Sequence, residues 1–383
     1  MNKKHLMMLF TAALFLFTSL SAQVIGQDSK PVKETFAQPE FTLLNQVPIT
    51  SVKSQGGTGT CWCFATTSMI ESEIIRLGKA EVGISEMFTV RHAYADRGDQ
   101  YIRFHGTSNF AQGGAQHDVT NAIAQYGLVP REVYEGLNYG TKAHSHGEIE
   151  SVLKGTLGGV MKNRNGTLST VWKTGFNNIL DAYFGELPGT FKYEGKSYTA
   201  ESFAKEMGIN ADDYVEFSSY THHPFYEEFV LEVPDNWAMQ AMYNVPIDEL
   251  MEIMHNAIDN NISISWAADI TGLNYSAGVA LIPAAGENSK NLLAEEKQIS
   301  QEDRQYMYDG FQLTDDHAMH IVGKAKDQNG KVYFIEKNSW GVGGKYEGFS
   351  YLSESFLRMR TMSIMVHKDA VPERIAKKVG LNK

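Results

Sequence analysis

The chain has only two cysteines in 383 residues, Cys61 and Cys63, and one residue separates them. That scarcity excludes a disulfide framework. A Cys-x-Cys bridge would close a small strained ring, so both thiols are expected to be free. Basic charge is short as well: 34 lysines and arginines stand against 45 acids, a formal net charge of −11. Such a balance makes nucleic acid and anionic membrane surfaces poor partners. After the N-terminal stretch no apolar run is long enough to span a bilayer, and internal repeats and low-complexity tracts are lacking. What is present, 43% apolar and 21% charged residues, is an ordinary globular composition with ample material for a core.

The N-terminus has its own pattern. Lys3 and Lys4 precede an apolar run over 6–17, and Ser19-Leu20-Ser21-Ala22 offers small residues for cleavage. This reads as a signal peptide over 1–22, with an uncleaved anchor as the alternative. It predicts an exported protein, periplasmic or extracellular, with no membrane contact once the signal is removed. Removal deletes two lysines and no acid, leaving the chain more acidic still. Residues 23–40 are polar, with two prolines, and read as a tether into a domain over 41–383. An exported protein that keeps free thiols needs a reason for them, and catalysis is one.

Apolar spacing predicts a helix over 62–78 closed by Gly78, and another over 118–126 closed by Gly127. Between 147 and 260 helical segments alternate with irregular connections, the best helices being 167–185 and 246–260. Ile-Ser-Ile-Ser-Trp-Ala at 262–267 alternates like a half-buried strand. Strands are expected over 320–325 and 332–336, joined by Asp327-Gln328-Asn329-Gly330 with its Asn-Gly hairpin signal. Helices first and strands later favour an α+β fold.

A thiol is a good nucleophile only as thiolate, which a helix N-terminus and a neighbouring imidazolium favour. Cys61 stands where the loop Gln55-Gly56-Gly57-Thr58-Gly59-Thr60 gives way to the first predicted helix. Its own N–H and the amide of Gln55 could then stabilise the oxyanion of an attacked carbonyl. Taken singly, a cysteine of this kind is more often core than catalyst.

Gln55-x₅-Cys61-Trp62-x-Phe64-Ala65 resembles the active-site segment of papain-like cysteine peptidases. The resemblance implies that Gln55 is the oxyanion-hole residue and Cys61 the nucleophile. Thr58 stands where that family has a disulfide cysteine. Downstream, His317-Ala318-Met319-His320-Ile321-Val322-Gly323 resembles the family's His-Ala-Val/Met-x-x-Val-Gly, which selects His317 over His320 as the base. On an extended strand the two would face opposite sides. Lys337-Asn338-Ser339-Trp340-Gly341 resembles Lys-Asn-Ser-Trp-Gly, making Asn338 the residue that orients the imidazole and Trp340 its shield from water. Gly343, Gly344 and Gly348-Phe349 continue the pattern. What lifts these residues above chance is their joint occurrence in one chain order.

From Cys61 to His317 the spacing is 256 residues, against about 130–150 in papain-type enzymes. The excess, together with Gly113-Gly114-Ala115-Gln116, Tyr126-Gly127-Leu128-Val129-Pro130 and Thr221-His222-His223-Pro224-Phe225-Tyr226, resembles the bleomycin hydrolase and bacterial aminopeptidase C branch. The fold implied is two-lobed, a helical N-terminal lobe and a β-rich C-terminal lobe, with a mostly helical insertion at about 140–260. Gly113 and Gly114 match the glycine pair along which substrate backbone runs. The branch implies peptide substrates, aminopeptidase action, a homo-hexamer with inward-facing active sites, and a C-terminal tail in the cleft. Here the usual tail ending is missing; a shorter tail could bring the Lys383 carboxylate there. The alternatives are an endopeptidase with an open cleft and an inactive peptide-binding homologue. No cofactor or metal is expected. His222-His223 reads as having a structural or turn role, because adjacent residues on a strand do not readily face one ion. The Met-rich stretch over 237–254 reads as core.

Overall fold

The computed structural model describes residues 36–274 and 276–381. The expected signal peptide, most of the tether, and Asn382-Lys383 lie outside the described residues. The helices are α1 (Cys61–Arg76), α2 (Glu86–Arg103), α3 (Gln116–Tyr126), α4 (Gly147–Met161), α5 (Val171–Phe184), α6 (Ala200–Met207), α7 (Ile247–Asp259), α8 (Gln301–Asp309), α9 (Glu354–Arg360) and α10 (Glu373–Val379). The strands are β1 (Thr42–Gln46), β2 (Phe191–Tyr193), β3 (Lys196–Tyr198), β4 (Tyr214–Ser218), β5 (Glu228–Val230), β6 (Ala241–Asn244), β7 (Ile264–Ala268), β8 (Val279–Ala280), β9 (His317–Lys326), β10 (Val332–Lys337), β11 (Phe349–Ser353) and β12 (Thr361–His367). Among the described residues no helix is long and apolar enough to cross a membrane.

One sheet organises the molecule, in the order β5-β6-β4-β12-β7-β9-β10-β11-β8, with β1 also pairing β9. Most of its pairs are antiparallel; β4–β6 and β8–β11 are parallel. Its two faces carry different cores, because successive side chains on a strand point opposite ways. Ala318 and Met365 join Trp62, Met69, Ile70 and Ile74 of α1. Met319, Ile321, Ile364 and Val366 join Leu250, Met254 and Ile258 of α7 and Ile375 of α10. The sheet thus stands between the helix that carries Cys61 and the helix that ends the described chain.

The predicted helices and strands are found within a few residues. The hairpin turn closes as expected, with Gly330 at φ +85° and the Asn329 N–H donating to Asp327 Oδ1 at 2.8 Å. The 18-residue α2 was not anticipated. Its signal was present: Ser85 caps it by accepting from the Phe88 N–H at 3.1 Å, and Met87, Val90 and Tyr94 are buried at helical spacing. The segment 140–260 contributes to both cores. Its α4, α5 and Phe203 of α6 share the core of α1, but β4–β6 extend the main sheet and α7 is central to the second core. The last residues of the expected tether are docked: Gln328 in the β9–β10 turn bonds both the Glu40 N–H and the Gln38 carbonyl at 3.0 Å.

Candidate active site

Cys61 is the first residue of α1. The loop before it is pinned at both ends. Upstream, Gln55 and Ser339 pair through backbone (Gln55 N–H to Ser339 carbonyl, 2.8 Å), and the Gly341 N–H donates to the Lys53 carbonyl at 3.0 Å. Gly56 adopts φ +66° against the backbone of His144, where any side chain would collide. Downstream, the Gly59 N–H donates to Gln112 Oε1 at 2.8 Å and the Trp62 indole N–H to the Gln112 carbonyl at 3.0 Å. Gln112, which the sequence did not single out, therefore ties the Cys61 loop to the Gly113-Gly114 segment.

The thiol of Cys61 meets the backbone N–H of Ala318, the residue after His317. Burial pushes that thiol up to about 11; the Ala318 N–H acts against the rise and the Asp235 carboxylate adds to it. His317 is buried, and burial lowers its imidazole to about 4, opposed by its bond to Asn338. Its Nε2 lies 3.0 Å from Asn338 Oδ1, leaving Nδ1 as the other ring nitrogen. The Trp340 ring covers it at 4.8 Å between centroids while staying 49% exposed. His320 faces the other way, as the strand alternation requires. It is fully buried, with Nδ1 2.9 Å from Ser68 Oγ on α1. Cys63 is a buried free thiol donating to the Glu86 carbonyl at 3.3 Å.

The amide of Gln55 is oriented unambiguously. Its Oε1 accepts from Ser339 Oγ at 2.7 Å and its Nε2 donates to the Thr58 carbonyl at 2.6 Å, so one N–H stays uncommitted by these bonds. Ser339 is a second positioning residue that motif matching alone did not weigh.

At the opposite end of the cleft lies a feature that the sequence did not reveal. Gly113 and Gly114 are held by Arg97, whose guanidinium donates to the carbonyls of Ala111 and Gly113. A Cβ at Gly114 would sit 2.7 Å from Asp118 Oδ2 and 2.8 Å from the Trp62 ring, and one at Gly113 would fall on the carboxylate of Asp235. Asp235 belongs to a strap, residues 231–240, that crosses between the two lobes. On the helical side the Trp237 indole donates to Asp118 Oδ2 at 2.7 Å, Arg97 stacks over the same ring at 4.7 Å, and Gln100 donates to the Trp237 carbonyl at 2.7 Å. On the sheet side the Asp235 N–H donates to Asp315 Oδ2 at 3.1 Å, and the Tyr308 hydroxyl to the Glu232 carbonyl at 3.0 Å. Asp235 also accepts from the Gly114 N–H; burial and the nearby Asp315 raise it to about 7, with Arg97 opposing.

His222 and His223 sit in a turn, one of the two expected roles, and because they are not on a strand their rings converge. Their Nε2 atoms lie 3.0 and 2.7 Å from the two oxygens of Glu232. These three residues are a group that could hold a metal ion. The hydrogen bonds already account for them: Gln305 Nε2 is 3.0 Å from His222 Nδ1, which leaves the ring proton on Nε2, aimed at Glu232. Their effect is to clamp the root of the strap. In the Met-rich stretch, Met242, Met251 and Met254 are buried while Met239, in the strap, is 59% exposed.

The family described as Peptidase C1-like matches residues 185–382, more than half of the chain. The chain belongs to that family. The papain family of cysteine proteases matches residues 39–168, so the Cys61 segment and the His317 segment are covered by two related descriptions. The chain is 23% identical to aminopeptidase W of Lactobacillus delbrueckii subsp. lactis over 85% of its length and 82% of that protein. It is 20% identical to aminopeptidase C of Lactobacillus helveticus, over 88% and 85% respectively. The crystal structure of pepw from Lactobacillus rhamnosis superimposes with a TM-score of 0.72 at 17% identity, covering 88% of this chain and 84% of that one. This peptidase C1-like chain is therefore a cysteine peptidase of papain-like α+β fold, in the branch that holds these relatives.

Proposed function

We propose that the protein is an aminopeptidase in which Cys61 attacks the carbonyl of the N-terminal residue of a peptide. His317 Nδ1 takes the thiol proton. Each group alone resists ionising at this buried place, but the two ions form together, with the N–H groups of the α1 N-terminus and of Ala318 facing the thiolate. The sulfur–carbon bond forms as the carbonyl oxygen takes negative charge, held by the Cys61 N–H and the free N–H of Gln55. His317 then protonates the amine, the carbon–nitrogen bond breaks, and the peptide leaves. Water, deprotonated by the same imidazole, releases the amino acid from the thioester. Asn338 fixes the ring and Trp340 shields the bond between them. Export rests on the Lys3-Lys4 and 6–17 pattern at the N-terminus.

The observation that carries exopeptidase action is the strap. The amine leaves past His317 and Trp340, so the acyl part of the substrate lies along Gly113-Gly114, where residues 231–240 cross the cleft. A chain continuing N-terminally would run into Asp235. The relatives named as aminopeptidases W and C support the same reading. The C-terminal tail does not carry it: α10 is held on α7, Lys378 Nζ lying 2.6 Å from Glu249 and Arg374 2.8 Å from it, and Leu381 packs into the second core across the sheet from α1. The expected Lys383 carboxylate lies outside the described residues. The test is a long peptide with a free N-terminus beside its N-acetylated twin. Single residues should appear in order from the free peptide, the twin should survive, and a thiol-directed epoxide should label Cys61. Equal cleavage of both would leave the open-cleft endopeptidase reading standing.

A further inference from the structure

An aminopeptidase must recognise a charged α-amine, and a strap that merely blocks the cleft does not do that. Transferring an ammonium from water into a half-closed site costs free energy unless an anion meets it. An extended substrate alongside Gly113-Gly114 would pair its backbone with theirs, as an added strand does. In that arrangement an internal peptide carbonyl would accept from the Gly114 N–H. Asp235 already takes this bond, and its carboxylate fills the place beside Gly113 where a residue preceding the first would lie.

We propose, building on the aminopeptidase reading, that Asp235 is the substrate-binding residue that accepts the α-ammonium of the N-terminal residue, and so both limits the enzyme to free N-termini and sets the cut after one residue. The carboxylate is near enough to the nucleophile for its charge to act on the Cys61 thiol. Among the described residues no lysine, arginine or histidine forms an ion pair with it. Arg97 acts on it from a distance, its guanidinium already committed to the carbonyls of Ala111 and Gly113. Asp315, two residues before His317, holds the backbone of Asp235 and adds negative charge. A half-buried carboxylate crowded by a second acid has a vacancy for a cation, and the ammonium of a substrate supplies it. In this reading the strap performs, from the middle of the chain, the task that a tail carboxylate was expected to perform.

The experiment compares an aminoacyl amide with its N-acetylated twin on the wild type and on Asp235→Asn, which keeps shape and an acceptor for Gly114 but removes the charge. Asp235→Asn should lose about 10- to 100-fold in kcat/KM on the free-amine substrate, the worth of one charge-assisted hydrogen bond, with no loss on the acetylated one. Asp235→Glu should keep the preference for the free amine. A wild-type circular dichroism spectrum and melting temperature check that each variant is folded; if Asp235→Asn does not fold, Asp235→Ser is read by the same ratio. A folded neutral variant with the wild-type preference overturns the assignment of Asp235 while leaving the aminopeptidase reading intact. A wild type indifferent to acetylation overturns both.

Discussion

The two ends of the cleft are built in different ways. At the His317 end, the candidate side chains come from segments that are paired through backbone. Residues 53–55 run antiparallel to 339–341, and β9 pairs β10, so Gln55, His317, Asn338 and Trp340 arrive together as a consequence of strand register. At the Gly113 end the decisive group, Asp235, arrives on an irregular strap. Side-chain bonds to Asp118, Gln100, Tyr308 and Asp315 hold it in place. The first construction repeats wherever its short motifs repeat. The second depends on loop composition that has no periodicity, so it is where specificity can vary while the chemistry stays fixed.

The sharpest way to break that comparison is at the nucleophile. Cys61→Ala should lower kcat/KM by at least about 10⁴-fold, whereas Cys63→Ala should retain most activity, both read on an aminoacyl amide. His317→Ala should match the first loss and Asn338→Ala should be intermediate. His320→Ala should act on the melting temperature instead, because it strips Ser68 of a buried partner. Comparable activity losses at His317 and His320 would mean that the strand register is misread.

The next effect concerns the oxyanion. Gln55→Ala should cost about 10²–10³-fold in kcat, since a single donor to the developing charge is lost. Ser339→Ala should cost much less, because Gln55 keeps its bond to the Thr58 carbonyl at 2.6 Å. Equal losses would show that Ser339 does more than hold the amide.

A third test is the pH profile on free-amine substrates. Asp235 stands at about 7, raised by burial, Asp315 and Asp118 and lowered by Arg97. As pH falls through that value the carboxylate is protonated and kcat/KM should drop. Above about 8 the substrate α-amine loses its own proton and kcat/KM should drop again. In Asp235→Asn the acid limb assigned to this carboxylate should vanish, while limbs due to Cys61 and His317 stay. An unchanged acid limb would detach Asp235 from substrate binding.

The smallest effect is expected where the strap is anchored away from substrate. Trp237→Ala removes the bond to Asp118 and the stacking of Arg97, and should raise the acetylated-to-free activity ratio by about tenfold, one hydrogen bond's worth of positioning. If the ratio does not move, the remaining bonds to Gln100, Tyr308 and Asp315 suffice to hold the strap.

The sequence by itself determined the peptidase family and the candidate catalytic residues. Cys61 at a helix start after a glycine loop, His317 opening a strand and Asn338 just past the end of another stand out by their joint occurrence in one chain order, and the motif through Gly323 selects His317 over His320. It also determined α1, α3, α7 and the β9–β10 hairpin, whose periodicity and turn residues are strong. Only the tertiary structure decided how the cleft is closed. Asp235, 174 positions after Cys61 in the chain, has no motif around it. Its carboxylate matters because a loop docks across two lobes and sets it on Gly113. Likewise α2 was written in the sequence by its Ser85 cap, while the joining of β4–β6 to the main sheet was not, since which strands pair is settled by burial and long-range hydrogen bonds rather than by any local preference.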